Sequence, residues 1–134
     1  MSNVFFDTNV WLPVVLADGF SRRLVREAET RGAVVISAQL LDEVAEKMAI
    51  KFRTSWETIE QAMVLMEKSG RMFAEAVMPY AASPDPDDAM FLAQALRAGC
   101  GYFVTKDTLL LELRSIEDMQ IVTPSEMARM LGVT

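Results

Sequence analysis

Four short stretches of the chain are apolar without polar alternation: Val4-Phe5-Phe6, Ala33-Val34-Val35-Ile36, Tyr102-Phe103-Val104 and, after Gln120, Ile121-Val122. Runs of this length predict strands buried on both faces, as in a parallel sheet covered by helices. Helical periodicity fills the intervals. Val10 to Ala17 reads as a short apolar helix, and Ser21 is placed to cap a second helix to Arg31, with Leu24, Val25 and Ala28 inward and Gly32 ending it. Ser37 is placed to cap a helix from Ala38 to about Phe52, whose apolar stripe is Leu40, Leu41, Val44, Met48 and Phe52. Thr54-Ser55-Trp56-Glu57 has the form of a capping box, so a further helix from Ser55 to Ser69 should fold back on it, closed by Gly70.

The second half continues the pattern. Phe73 to Met78 is a possible short strand centred on Val77, followed by an irregular loop from Pro79 to Pro84. Asp85-Pro86-Asp87-Asp88 opens a helix to Ala98, with Asp85 as its cap, Pro86 first inside and Gly99 behind. Thr108 to Arg114 predicts a short helix, and the capping box Thr123-Pro124-Ser125-Glu126 starts a last one to Leu131. Strands alternating with helices, without repeats or linkers, predict one α/β domain over residues 1–134, with a central parallel sheet of four to five strands.

Composition narrows the chemistry. At 51% hydrophobic and 24% charged residues this is the make-up of a globular protein, and ten methionines favour adaptable packing or a self-associating surface. Val10 to Ala17, the longest apolar run, falls well short of the roughly 20 residues that span a bilayer. The first residues lack a basic stretch and carry Asp7 early, so a secretory signal is not expected and a cytoplasmic setting is. One cysteine, Cys100, excludes an internal disulfide and thiolate clusters. The absence of histidine removes Ser-His and Cys-His hydrolases and the usual zinc sites together. Carboxylates remain. A net charge of −6 argues against nucleic acid unless bound cations invert the local sign.

Functional groups of an open parallel sheet gather beyond the carboxyl ends of its strands. Asp7 and Asp107 each follow a strand directly; singly, one reads as a turn residue and the other as a helix cap. Asp88 shares a helix face with Phe91, Leu92 and Ala95, an inward position that an exposed cap would not take. Asp85 and Asp87 are accounted for by capping and the helix dipole. The helix after the second strand offers Asp42, Glu43 and Glu46, none on the apolar stripe; Glu43 is slightly favoured by its nearness to the helix start. Two carboxylates about 4 Å apart repel by about 4 kcal/mol at an effective dielectric near 20. A cluster of four therefore needs a counter-cation or shared protons, and oxygen-only ligands select Mg²⁺ or Mn²⁺. Such a site suits metal-assisted hydrolysis of a phosphodiester.

The ordered set Phe6-Asp7-Thr8-Asn9, Ile36-Ser37 with Leu41-Asp42-Glu43, Asp85-Pro86-Asp87-Asp88 with Phe91-Leu92 and Ala95, Val104-Thr105-Lys106-Asp107 and Val122-Thr123-Pro124 resembles the PIN-domain family, in particular VapC-like toxins of prokaryotic toxin-antitoxin modules. The resemblance covers nearly the whole chain. It implies a three-layer fold and a metal-dependent endoribonuclease, with Asp7, Glu43, Asp88 and Asp107 as catalytic metal ligands and Thr8, Asn9 and Thr105 orienting them. It also implies an RNA substrate, a homodimer and a small antitoxin partner. Lys47, Lys51, Arg53, Arg97 and Lys106 could supply an RNA path. The competing reading is a PIN-like scaffold that uses its Met-rich surface for partners. A phosphatase with an aspartyl nucleophile ranks below both, since it usually needs a second acid where Asn9 stands.

Overall fold

The apolar runs form the middle of one sheet. In the computed structural model, which describes residues 2–134, six strands lie in the order β3-β2-β1-β4-β6-β5. They are β1 (Asn3–Phe6), β2 (Val34–Ser37), β3 (Arg71–Phe73), β4 (Cys100–Val104), β5 (Ser115–Ile116) and β6 (Met119–Val122). All pairings are parallel except that of β5 with β6. The helices are α1 (Thr8–Leu16), α2 (Phe20–Thr30), α3 (Ala38–Ile50), α4 (Trp56–Ser69), α5 (Ala89–Arg97), α6 (Thr108–Leu111) and α7 (Pro124–Leu131). This is the expected sheet flanked by helices, extended at its edges from four or five strands to six.

Successive residues of a strand point to opposite faces, and β1 shows what each face carries. Phe5 stacks on Phe103 of β4 at 5.5 Å between ring centroids and meets Phe91 of α5 at 5.8 Å. Phe6 meets Trp11 of α1 edge-on at 6.2 Å. Helices therefore cover both faces of the central strands, giving three layers. Val4, Phe5, Phe6, Trp11 and Phe103 are completely buried, and burying an aromatic of this size contributes roughly 2–3 kcal/mol.

Several ends form as expected. Ser37 caps α3 by accepting from the Leu40 amide at 3.2 Å. Thr123 and Glu126 make the reciprocal capping box of α7. Others shift. Gly19, not Ser21, caps α2; Ser21 lies inside the first turn and is buried. Ser55 caps α4 by accepting from Thr58, so the Thr54–Glu57 box does not form. The third strand is Arg71–Phe73 rather than a segment around Val77, because the chain meets the sheet as soon as α4 ends. A Cβ on Gly70 would stand 3.0 Å from side-chain carbons of both Val34 and Ile36, so the missing side chain lets α4 run directly into the edge of β2. The helix expected to Arg114 stops at Leu111. Arg114 takes a positive φ of 62°, and Ser115–Ile116 turns back to pair with Met119 and Gln120.

The reversal of strand order falls between β1 and β4, whose ends are aligned, Phe6 beside Val104. There the Asp7 amide donates to the Val104 carbonyl at 2.9 Å and the Thr105 amide to the Val122 carbonyl at 3.0 Å. The polar residues after these strands thus emerge side by side.

Gly70→Ala is expected to lower unfolding free energy by about 1–3 kcal/mol through overpacking against Val34 and Ile36. Urea denaturation checks this, and an unchanged midpoint would show that the β2 side chains yield at no cost.

Candidate metal centre

Four of the acids at this edge are placed by the start of a helix or turn. Asp7 caps α1: one oxygen, Oδ1, accepts from the Thr8 amide at 2.8 Å. Its Oδ2 accepts from the Thr105 hydroxyl at 2.8 Å and from Asn9 Nδ2 at 3.4 Å. Asp107 caps α6 with Oδ1 accepting from the Leu109 amide at 2.9 Å. Asp85 caps a 3-10 turn (Pro86–Asp88) by accepting from the Asp87 amide at 2.9 Å, and Asp88 stands where that turn passes into α5.

Thr105 is the hub of the polar network. Its buried hydroxyl donates to Asp7 and accepts from Asn9 Nδ2 at 3.2 Å and from the Asp107 amide at 3.0 Å. Asn9 closes the ring by accepting from the Lys106 amide at 3.1 Å. Thr8 reaches the other way: its hydroxyl donates to Glu43 Oε2 at 2.8 Å. Glu43 is half-buried, whereas Asp42 and Glu46 are exposed. The remaining oxygen of Glu43 faces the Lys47 ammonium at 3.6 Å.

The tightest group differs from the sequence expectation. Asp85, Asp88 and Asp107 each bring a carboxylate oxygen within 4.8 Å of the others, and all three are half-buried. Asp85 had been accounted for as a cap. The Asp-Pro-x-Asp spacing was the available signal, because residues i and i+3 of a 3-10 turn eclipse one another. The expected Asp7 and Glu43 are not members of this group: Asp7 is buried at 3% exposure, and Glu43 is linked to it through Thr8.

The charges conflict. Burial pushes the Asp7 carboxyl up from 3.8 to about 6 despite its hydrogen bonds from Thr105 and Thr8, and the charges of Glu43 and Asp107 add to the rise. Asp88 is pushed up to about 8, first by burial, then by the charge of Asp7, a hydrogen bond to Asp107 and the charges of Asp85 and Asp107. Lys47, beside Glu43, is the one cationic side chain ion-paired to any of these acids among the described residues. Close oxygen donors carrying uncompensated charge fit a hard divalent cation.

A family model described as PIN domain matches residues 3–109, well over half of the chain and inclusive of Asp7, Glu43, Asp85, Asp88 and Asp107. No curated protein matches it.

The raised values set the pH response of the metal-free protein. From about pH 4 to pH 8 the folded chain keeps protons on Asp88, and in the lower part of that range on Asp7, which the unfolded chain has released. Its stability should therefore fall as pH rises through this window and recover as pH drops. Asp88→Asn should raise the metal-free melting temperature at pH 8 by a few degrees, about 1 kcal/mol after allowing for solvent screening at this half-exposed position. Thermal melts in EDTA between pH 5 and 8.5 test this; a variant no more stable at pH 8 would overturn it.

Proposed function

The chain belongs to the PIN-domain family, and on that premise we propose that it is a Mg²⁺- or Mn²⁺-dependent endoribonuclease working at the acid edge beyond β1 and β4. PIN domains are generally nucleases and use divalent metals, and the acid cluster is compatible with both properties. The observation that carries the reading is the convergence of Asp85, Asp88 and Asp107 within 4.8 Å. Asp7, which helps to raise Asp88, adds charge from behind. A bound divalent ion would supply Lewis-acid polarisation of a phosphate oxygen and a water of lowered pKa.

The protein's own part is orientation and charge. Asp85, Asp88 and Asp107 are the proposed ligands, with Asp7 adjoining them. The hydrogen bonds from Thr8, Asn9 and Thr105 restrict Asp7 to one rotamer, and the Asp107 amide, bound to Thr105, ties the second strand's acid to the first. Glu43 stands at the rim, held between Thr8 and Lys47, where a carboxylate can accept a proton from an attacking water or add a ligand. The likeness to VapC-like toxins extends the proposal to the toxin of a toxin-antitoxin pair, dimeric and restrained by a small protein.

A second reading, a scaffold without catalysis, is favoured by Met78, 85% exposed beside an apolar groove of about 570 Å³ lined by Val77, Tyr80, Ala93 and Leu96. No helix among the described residues is long and apolar enough to cross a membrane.

Asp7→Asn and Asp107→Asn should each reduce cleavage of single-stranded RNA in Mg²⁺ by about 100-fold or more, and EDTA should abolish it. Asp85→Asn should weaken Mn²⁺ binding, followed by calorimetry, about 10- to 100-fold. Cleavage undiminished in Asp7→Asn would sink the metal mechanism; tight Mn²⁺ binding without Asp85 would remove that residue from the ligand set.

A further inference from the structure

Beyond Glu43 the surface changes sign. Glu43 and Lys47 of α3 and Lys51, its C-cap, follow one another at four-residue spacing along a single ridge. The Thr8 hydroxyl fixes the first of them to the acid edge, and the second is ion-paired to the first. Eight residues of helix carry this ridge about 12 Å from the site, the length of roughly three to four stacked nucleotides. It ends in the turn between α3 and α4, where the Lys51 ammonium lies 5.6 Å from the centre of the Phe52 ring. Phe52 is 46% exposed and Trp56 is 69% exposed.

Trp56 faces outward, whereas the chain's other tryptophan, Trp11, is completely buried, so the Trp56 ring is open to an occupant. Charge identifies it. Within a protein of net charge −6, residues 44–56 hold Lys47, Lys51 and Arg53 against one acid, Glu46, which belongs to a different ridge of α3 with Asp42 and Ile50. Glu57 and Glu60, both exposed, follow in the first turns of α4. Cations alternating with exposed rings are what a single strand needs: charge for phosphates and flat faces for unpaired bases.

We propose that the outer ridge of α3 and the turn into α4 form a track for one RNA strand, running from the acid edge past Lys47 and Lys51 to a base-stacking platform at Phe52 and Trp56. The proposal rests on the ribonuclease reading and names the part of the substrate that this surface holds: a short unpaired segment flanking the scissile phosphate. Stacking on the rings is tolerant of sequence, so the track selects for single strands rather than for particular bases.

The two tryptophans make this testable on the whole protein. Acrylamide reaches Trp56 and not Trp11, so quenching reports on the platform alone. In Mg²⁺, and in the Asp7→Asn variant so that RNA is not consumed, a ten-nucleotide oligoadenylate is expected to protect Trp56 from quenching. Trp56→Ala should weaken oligoadenylate binding, read by anisotropy, about 5- to 100-fold, Trp56→Phe should restore most of it, and Lys47→Ala with Lys51→Ala should flatten its salt dependence. RNA that binds equally well to Trp56→Ala and leaves Trp56 quenchable would overturn the track while wild-type cleavage still stands. Protection that instead grows with protein concentration in the absence of RNA would assign the patch to self-contact and also overturn it. Absence of both RNA binding and cleavage would remove the ribonuclease reading as well.

Discussion

The constraint on which the rest of the structure depends is the carboxylate of Asp7, placed at the end of a strand buried on both faces. Val4, Phe5 and Phe6 must be apolar to sit between two layers of helices, so the first polar residue after them arrives at the centre of the sheet edge with almost no access to water. A charge there is costly unless donors surround it. Thr8, Asn9 and Thr105 are those donors, and the Asp7 carboxyl still rises to about 6, because burial outweighs them. The site is therefore oriented by hydrogen bonds and left short of positive charge. That shortage, rather than the shape of any cavity, makes the edge receptive to a cation.

The acids around Asp7 show how capping and ligation coexist. Asp7, Asp85 and Asp107 each use Oδ1 to accept a backbone amide at the start of a helix or turn. One oxygen so occupied fixes the rotamer and leaves the other free to face its neighbours, while the helix N-terminus offers partial positive charge to each carboxylate. In Asp7 the second oxygen is taken by Thr105 and Asn9, which hold it inside, whereas Asp107 shares a hydrogen bond with its fellow acid Asp88. Reading these residues as caps and reading them as site residues are thus not alternatives, and counting them as such in the sequence undervalued Asp85.

Much of the fold was legible because burial on two faces leaves no polar alternation to misread. The four central strands and the caps at Ser37 and Thr123 follow from local residues alone. The edge strands β3 and β5 did not, since two or three residues, three of the five exposed, carry no period. The caps of α2 and α4 moved by one or two residues for a related reason: Gly19 and Ser21, like Thr54 and Ser55, are both acceptable locally, and packing chooses. Among the acids, the helical wheel put Asp88 on a buried face, whereas the structure leaves it half-buried at the junction of a 3-10 turn with α5, and the wheel missed that this turn brings Asp85 beside it.

Glu43 shows where a single sequence runs out. Asp42, Glu43 and Glu46 all lie off the apolar stripe of α3, so periodicity ranks none of them, and what distinguishes Glu43 is a hydrogen bond from Thr8, 35 positions earlier. The same contact makes Glu43 unlike the other acids. Lys47 sits one turn along the helix at 3.6 Å and balances its charge, whereas Asp7 and Asp88 are raised by their surroundings. The shortage of positive charge at the edge accordingly falls on Asp7, Asp85, Asp88 and Asp107, none of which has an ion-pair partner among the described residues. Glu43, paired with its lysine, stands at the point where the acid edge meets the lysines of α3.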